Sequence, residues 1–198
     1  MTARVTLVTG GARSGKSGWA ELVAGRSNRA VTFVATAIAG DAEMAARIAA
    51  HRAARPSEWM TIEEPFDLPG ALAKAPRDGL VVLDCLTLWT ATFVAGRVGD
   101  RAIESVPAAE WRAIEDRAVA MASAAIDVSR RRDHWLIAIT NEVGSGIVPV
   151  YPLGRRYRDV LGRVNAAVAA VSDDVVLMVA GLPVDLRKIA FDPRDTAV

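Results

Sequence analysis

The sequence predicts an α/β fold in which helices cover both faces of a mostly parallel sheet. Two observations indicate it: short apolar runs alternate with helical patterns along the chain, and the first run leads directly into a G-x-x-x-x-G-K-S loop. Continuous apolar strands separated by helices are typical of a sheet buried on both faces. The 198 residues show no internal repeat, low-complexity tract or linker, so we expect a single domain over residues 1–198.

The apolar runs place the strands, and the amphipathic segments between them place the helices. Strands are predicted at residues 5–9, 30–36, 79–84, 135–140 and 175–180, with a further edge strand, antiparallel as a candidate, at 184–189. Helices are predicted at residues 17–27, 41–54, 67–75, 86–95, 108–132 and 154–171. In a sheet of this type, ligands bind at the carboxyl ends of the strands.

The loop after the first strand has the sequence of a phosphate-binding loop. Its backbone N–H groups can surround the phosphates of a nucleotide, and the following helix adds the positive end of its dipole. Lys16 can reach the β- and γ-phosphates, and the Ser17 hydroxyl can bind Mg²⁺. We therefore expect a nucleoside triphosphate to bind at Gly10, Gly11, Ala12, Arg13, Ser14, Gly15, Lys16 and Ser17.

Composition excludes several classes of function. With 24 Lys and Arg residues against 23 Asp and Glu residues, the chain has no bulk charge to attract nucleic acid or an anionic membrane. No apolar run approaches the roughly 20 residues that cross a bilayer, and the first strand leaves no room for a signal peptide. The single cysteine, Cys85, excludes an internal disulfide. We expect a cytoplasmic protein with neither a nucleic-acid partner nor a membrane span.

The third strand ends in a carboxylate, Asp84. In nucleotide-binding α/β proteins, an acid at this position lies across from the phosphate-binding loop and holds Mg²⁺ or its water ligands. An aspartate that caps the following helix is the alternative. The phosphate-binding loop favours the first interpretation.

The two histidines occur in different settings. His51 lies on the second predicted helix among Arg47, Arg52 and Arg55, where cations could hold an α-phosphate while a neutral imidazole attacks it. An ordinary histidine on a helix surface explains the residue equally well. His134 opens a strand, which indicates a structural role.

Two acidic segments remain open from the residues alone. Asn141 and Glu142 follow a buried strand and precede a Gly-x-Gly loop, so they could orient substrate hydroxyls, bind a metal through water or transfer protons; a glycine turn capped by Asn is the alternative. Glu63, with Glu64 and Pro65, is interpreted as an acid at a helix start or on the surface.

Together these segments resemble a known family over nearly the whole chain: the bifunctional adenosylcobinamide kinase / adenosylcobinamide-phosphate guanylyltransferases of cobalamin biosynthesis. The phosphate-binding loop alone occurs in many families, whereas the sequence that flanks it and the Asn-Glu-Val-Gly loop are close to diagnostic of this family. The resemblance rests on the segments VTGGARSGKS (8–17), FVATA (33–37), DAEMAARI (41–48) with His51, DCLTLW (84–89), TNEVGSGIVP (140–149) and GLP (181–183).

The resemblance implies two reactions. ATP or GTP phosphorylates the hydroxyl of adenosylcobinamide. GTP then transfers GMP to a histidine with release of pyrophosphate, and adenosylcobinamide phosphate accepts the GMP to give adenosylcobinamide-GDP. It also implies a RecA-like fold, Mg²⁺ as cofactor and a small homo-oligomer, trimers included.

The resemblance further assigns individual positions. The guanylylated histidine corresponds to His51, and Asp84 corresponds to an acidic position that is Glu in some members. Nucleotide contacts outside the phosphate-binding loop correspond to Thr36, Ala37, Ile38, Arg52, Ala53, Ala54, Arg55 and Glu63.

Two other classes stay open. A P-loop kinase of small metabolites, without a histidine intermediate, would use the same loop and Asp84. A GTP-driven switch or an ATP-dependent assembly factor is the non-enzyme alternative, but the Asn-Lys-x-Asp motif that reads guanine in switch GTPases does not occur in the sequence.

Overall fold

The computed structural model describes residues 2–53 and 55–191, without the side chain of Arg47. Its described part contains one seven-stranded sheet with the order β3-β2-β4-β5-β1-β6-β7, in which only β7 is antiparallel to its neighbour. The strands are β1 (Arg4–Gly10), β2 (Val31–Ala35), β3 (Met60–Glu63), β4 (Leu80–Asp84), β5 (Trp135–Ile139), β6 (Asp174–Val179) and β7 (Leu182–Asp185).

Helices cover both faces of this sheet, as predicted. One buried cluster joins the sheet to α3, α4, α5 and α6, and a second cluster on the opposite face joins it to α1. The helices are α1 (Lys16–Gly25), α2 (Ala42–Ala53), α3 (Leu68–Lys74), α4 (Leu86–Val98), α5 (Ala108–Arg131), α6 (Pro152–Val171) and the short α7 (Leu186–Ile189), with 3₁₀ turns at Ile103–Ser105 and Val143–Ser145.

The strand order fixes which residues can form a site. Strand β5 lies between β1 and β4, and Ile139 is in register with both Val8 and Asp84. The carboxyl ends of these three strands therefore meet at one edge of the sheet, which is where parallel α/β sheets bind ligands.

The carboxyl-terminal edge strand differs from its prediction at 184–189. Ala180 and Gly181 both have positive φ values, 50° and 83°, and such a two-residue turn reverses the chain at once. Strand β7 consequently begins at Leu182, pairs antiparallel to β6 and ends at Asp185, whose side chain caps α7. The antiparallel orientation is confirmed, but residues 186–189 are helical.

Strand β3 has no counterpart in the prediction. It has four residues, of which only Ile62 is buried, and it lies at the edge of the sheet beside β2. Glu63 is its last residue and is exposed, so of the two interpretations of Glu63 the helix-start acid is wrong and the surface acid is confirmed. In the part of the chain that the structure describes, no helix combines the length and apolar character that crossing a bilayer requires.

Candidate active site

The phosphate-binding loop depends on two glycines. Gly10 ends β1 with a φ of 146°, and a Cβ there would lie 2.4 Å from the backbone oxygen of Met178. Gly15 has a φ of 96° and is the N-cap residue of α1, where it offers no side chain to the first turn. The N–H groups of that turn are left for a ligand, and the helix dipole favours an anion.

The side chain of Lys16 is folded back over this loop. Its ammonium group donates to the backbone oxygens of Gly10 (3.2 Å) and Gly11 (2.5 Å) and to the Ser14 hydroxyl (3.3 Å). Burial lowers the pKa of Lys16 because it disfavours the charged form. Phosphate oxygens are stronger acceptors for an ammonium group than neutral carbonyls are, so this lysine is placed to contact a bound phosphate.

Ser17 and Asp84 form a pair of oxygen ligands beside the loop. The Ser17 hydroxyl donates to Asp84 Oδ2 at 2.8 Å. Mg²⁺ prefers oxygen ligands and is usually held by one or two carboxylates together with substrate phosphates and water. This donor set fits Mg²⁺. The described residues include no group of three or more His, Cys, Asp or Glu side chains that could hold a metal.

Thr36 joins the ends of β2 and β4 from a fully buried position. Its hydroxyl accepts from the Cys85 N–H at 2.8 Å and donates to the Cys85 carbonyl at 2.7 Å. Its own N–H donates to the Asp84 carbonyl at 3.0 Å. The Thr36 side chain is thus used to hold the strand ends together, next to the carboxylate that faces Ser17.

A cavity of about 680 Å³ opens at this edge of the sheet, a size typical of small-molecule sites. The predicted site residues that line it are Ala12, Arg13, Ser14, Gly15, Lys16, Ser17, Ala37, His51, Arg55, Glu63 and Asp84. Gly10, Gly11, Thr36, Ile38, Arg52 and Ala53 are described but do not line it, and Ala54 is outside the described residues.

Helix α2 contributes lining residues to the same cavity. Met44, Ile48 and His51 lie on its cavity face, as expected from their spacing on one helical face. None of the described side chains of α2 is buried, and Met44 and Ile48 are half-buried. The apolar stripe of this helix therefore lines the cavity rather than the protein core.

Arg55 follows α2 and lines the cavity. Its guanidinium lies 3.5 Å from the centre of the Phe33 ring, a cation–π contact. Its Nε is buried and has no hydrogen-bond partner among the described residues, and burial lowers the pKa of Arg55. Near it, Arg52 and Glu63 form an exposed ion pair at 3.3 Å. A partly desolvated guanidinium with a free donor suits a phosphate ligand.

The end of β5 is held by a hydrogen-bond network that reaches α4 and α6. The Asn141 N–H donates to the Thr87 hydroxyl at 2.8 Å, and the Asn141 carbonyl accepts from the Asn165 side chain at 3.0 Å. Asn165 also accepts from the Thr140 hydroxyl at 2.7 Å. Asn141 and Thr87 line the cavity, so this network positions its wall.

Cys85, which lines the cavity, and His134 are both buried. Burial raises the pKa of the Cys85 thiol to about 11, so the thiol stays protonated near neutral pH. His134 is fully buried, and its Nε2 is 3.0 Å from the Pro76 carbonyl. This placement agrees with the structural role expected for His134.

Three residues support the cavity although the sequence does not predict them as site residues. Phe33, Thr87 and Asn165 support the cavity, yet each has the composition of an ordinary strand or helix position. Asn165 is 24 residues from Asn141 in the chain. The one sequence signal is that Asn165 is a polar residue on the apolar face of α6, next to the buried Val164 and Val168.

Comparisons with known proteins find relatives over nearly the whole chain. The family model described as cobinamide kinase / cobinamide phosphate guanyltransferase matches residues 6–186. The bifunctional adenosylcobalamin biosynthesis protein CobP of Pseudomonas aeruginosa is 39% identical over 182 residues, covering 91% of this chain and 96% of the relative. The CobU protein of Escherichia coli, with the same description, is 39% identical over 184 residues, covering 91% of this chain and 98% of the relative.

A solved structure supports the fold separately. An ATPase of the type III secretion system of pathogenic bacteria has a TM-score of 0.51 at 11% identity, covering 96% of this chain and 59% of that chain. At this identity the likeness concerns the fold alone, which is that of the RecA-like P-loop ATPases, as the family resemblance implied.

Proposed function

The chain belongs to the cobinamide kinase / cobinamide phosphate guanyltransferase family, and on that premise we propose both of its reactions. ATP or GTP phosphorylates adenosylcobinamide. GMP is then transferred from GTP, through a guanylyl-histidine at His51, to adenosylcobinamide phosphate, which gives adenosylcobinamide-GDP and pyrophosphate. The observation that carries this proposal is that His51 and the phosphate-binding loop line one cavity.

The guanylyl transfer proceeds as two displacements at the α-phosphorus. A ring nitrogen of neutral His51 attacks the phosphorus, the nitrogen–phosphorus bond forms, and the bond to the bridging oxygen breaks as pyrophosphate leaves. A phosphate oxygen of adenosylcobinamide phosphate then attacks, and the nitrogen–phosphorus bond breaks. A covalent intermediate of this kind divides one difficult transfer into two easier steps. Lys16 and the N-terminus of α1 hold the departing pyrophosphate.

The kinase reaction uses the same loop. Phosphoryl transfer depends on positioning and charge neutralisation more than on covalent chemistry. Lys16 and Arg55 both line the cavity, so both cations can contact the nucleotide phosphates. Ser17 and Asp84 would hold Mg²⁺, which neutralises phosphate charge when bound.

The decisive experiment is labelling with [α-³²P]GTP. We expect the wild-type protein to take up label that survives base and is lost in acid, as a phosphoramidate does. The His51→Ala variant should take up none. Glu43→Gln, an exposed change in the first turn of the same helix, is the matched control and should label like the wild type.

The same experiment separates this function from the kinase alternative. A metabolite kinase without a histidine intermediate predicts no label, and nucleotide turnover that His51→Ala leaves intact. A switch GTPase or assembly factor predicts nucleotide turnover that does not depend on adenosylcobinamide. Either result would contradict the proposed function.

We also propose that the protein acts in the cytoplasm as a homo-oligomer. Support comes from the segment that follows the 3₁₀ turn after β5, where Ile147 is 96% exposed and Val150 92% exposed. Apolar side chains exposed to this degree are typical of surfaces that other chains cover. Light scattering coupled to size-exclusion chromatography measures the mass directly, and a mass of 21.0 kDa would contradict the oligomer.

A further inference from the structure

The backbone of Glu142 shares a hydrogen-bond acceptor with the phosphate-binding lysine. The Glu142 N–H donates to the Gly10 carbonyl at 3.2 Å, and the same carbonyl accepts from the Lys16 ammonium group at 3.2 Å. One carbonyl oxygen thus links the two residues. Glu142 follows β5, the strand between the phosphate-binding loop and Asp84.

Two side chains hold this carboxylate by one of its oxygens. The Thr9 hydroxyl donates to Glu142 Oε1 at 2.6 Å, and the Asn165 side chain lies 3.5 Å from the same oxygen. The other oxygen, Oε2, accepts no hydrogen bond from the residues that the structure describes, and the side chain is only half-buried. A carboxylate with one oxygen fixed and one free can accept a proton from a ligand.

The side chain of Asn165 hydrogen-bonds to the residues that follow β5. It is buried on α6, where an amide without partners would be costly. Its Oδ1 accepts from Thr140, and its Nδ2 donates to the Asn141 carbonyl at 3.0 Å. All its described contacts are therefore with the end of β5 and the residues that follow, which indicates that the residue positions this segment.

Among the described residues, the two carboxylates that line the cavity are already engaged. Asp84 accepts from Ser17 and belongs to the proposed Mg²⁺ pair. Glu63 forms an ion pair with Arg52, at the end of the cavity nearest α2. Glu142 does not line the cavity itself but directly follows Asn141, which does, and neither of these functions uses its carboxylate.

We propose that Glu142 is the catalytic base of the kinase reaction and that Thr9 and Asn165 are its positioning residues. This inference rests on the proposed function. Glu142 Oε2 takes the proton of the substrate hydroxyl, and the hydroxyl oxygen forms a bond to the γ-phosphorus. The bond from that phosphorus to its bridging oxygen breaks, and the nucleoside diphosphate leaves with the electron pair.

The guanylyl transfer needs no such base. The first acceptor is the neutral imidazole of His51, and the second is a phosphate that is already ionised near neutral pH. Loss of the Glu142 carboxylate should therefore affect one of the two reactions. A purely structural role for Glu142 would instead disturb the phosphate-binding loop and lower both.

The test measures both reactions in Glu142→Gln, Glu142→Asp and Thr9→Val. A positioned base typically contributes about 10²–10⁴-fold, so we expect Glu142→Gln to lower kcat for adenosylcobinamide phosphorylation about 100-fold. His51 labelling from [α-³²P]GTP should stay within about twofold of wild type. Glu142→Asp and Thr9→Val, which withdraw or release the carboxylate, should lower kcat about 10-fold with labelling retained. Glu104→Gln, an exposed change, is the control.

Each outcome decides the inference. A kinase kcat within about threefold of wild type in Glu142→Gln would overturn it, and so would a parallel loss of kinase and labelling in all three variants. If Glu142→Gln does not fold, the test uses Glu142→Asp and Thr9→Val instead, in which kinase kcat should fall while His51 labelling is retained. A wild-type protein that neither phosphorylates adenosylcobinamide nor takes label would overturn the proposed function instead.

Discussion

Helices α1 and α2 bring residues to the same cavity but are held in different ways. On α1, Lys16, Ala20 and Ala24 are buried, and the helix packs on the sheet. On α2, none of the described side chains is buried. Burial of apolar area is what stabilises a helix in a folded protein. Packing against the sheet therefore fixes the phosphate-binding part of the site. The position of His51, in contrast, depends on few buried contacts.

This difference has a consequence for ligand binding. Met44 and Ile48 are half-buried and line the cavity, so a nucleotide in the cavity would cover them further. Binding would then stabilise α2 more than α1. The comparison predicts that changes near α1 act on every reaction, and that the stability of α2 responds to the ligand.

The largest effect is expected from Lys16→Met, in the half of the site that folding builds. Removing one preorganised charge from a catalytic site typically costs about 10²–10³-fold, so both kinase turnover and His51 labelling should fall by about that factor. Stability should be kept, because Lys16 is buried and burial lowers its pKa. Lys74→Met, at the exposed end of α3, is the control. Kinase turnover or labelling above one tenth of wild type, about 1.4 kcal/mol of transition-state stabilisation, would contradict the assignment.

The second prediction compares Gly10, which ends β1, with Gly18, in the first turn of α1. Gly10→Ala forces a Cβ to 2.4 Å from the Met178 carbonyl at a φ of 146°, which should lower the free energy of unfolding by about 2–4 kcal/mol. Gly18→Ala meets nothing within 4 Å and should raise it by about 0.5 kcal/mol. Chemical denaturation measures both. Equal stabilities would show that the loop can rearrange around the added methyl group.

The third prediction concerns α2 directly. Because its described side chains are not buried, its amides should exchange with deuterium through local opening, at least about 100-fold faster than the amides at the centre of α1. GTP should slow exchange in α2 more than in α1. Mass spectrometry of peptic fragments measures both helices in one sample. Equal protection in the absence of GTP would contradict the comparison.

The sequence predicts those parts of the fold that one contiguous segment is enough to identify. The apolar runs of β1, β2, β4, β5 and β6 and the phosphate-binding loop are contiguous, so pattern alone locates them. Strand β3 was missed because only Ile62 of its four residues is buried. The edge strand was misplaced because the positive φ values of Ala180 and Gly181 depend on a turn that the composition indicates only weakly.

The candidate site shows the same limit. The sequence predicts His51 on a helix with arginines close by in the chain, but pattern alone cannot say what that helix lines. The Phe33 ring under Arg55 and the Asn165 amide behind Asn141 come from segments distant in the chain. Such contacts depend on strand order and helix packing, which hydrophobic periodicity does not contain. The resemblance assigns Thr36 to nucleotide binding. In the structure its side chain is fully buried and hydrogen-bonded to Cys85, an environment that the sequence does not indicate.

The smallest effect is expected where the two halves of the site touch, at the contact of Arg55 with Phe33. Phe33→Leu keeps an apolar side chain but removes the ring 3.5 Å from the guanidinium. A partly buried cation–π contact contributes about 1 kcal/mol, so the affinity for GTP should fall about fivefold by calorimetry.

Phe93→Leu is the matched control for this change. Phe93 also lies under an arginine, with the Arg97 guanidinium 4.7 Å from its ring centre, but it is on α4 and does not line the cavity. It should leave GTP affinity unchanged while costing a similar amount of stability. Equal losses of affinity in both variants would mean that Phe33 acts through general packing. A loss confined to Phe33→Leu would show that Phe33 on β2 positions Arg55. The sheet would then be connected, through this contact, to the segment that follows His51.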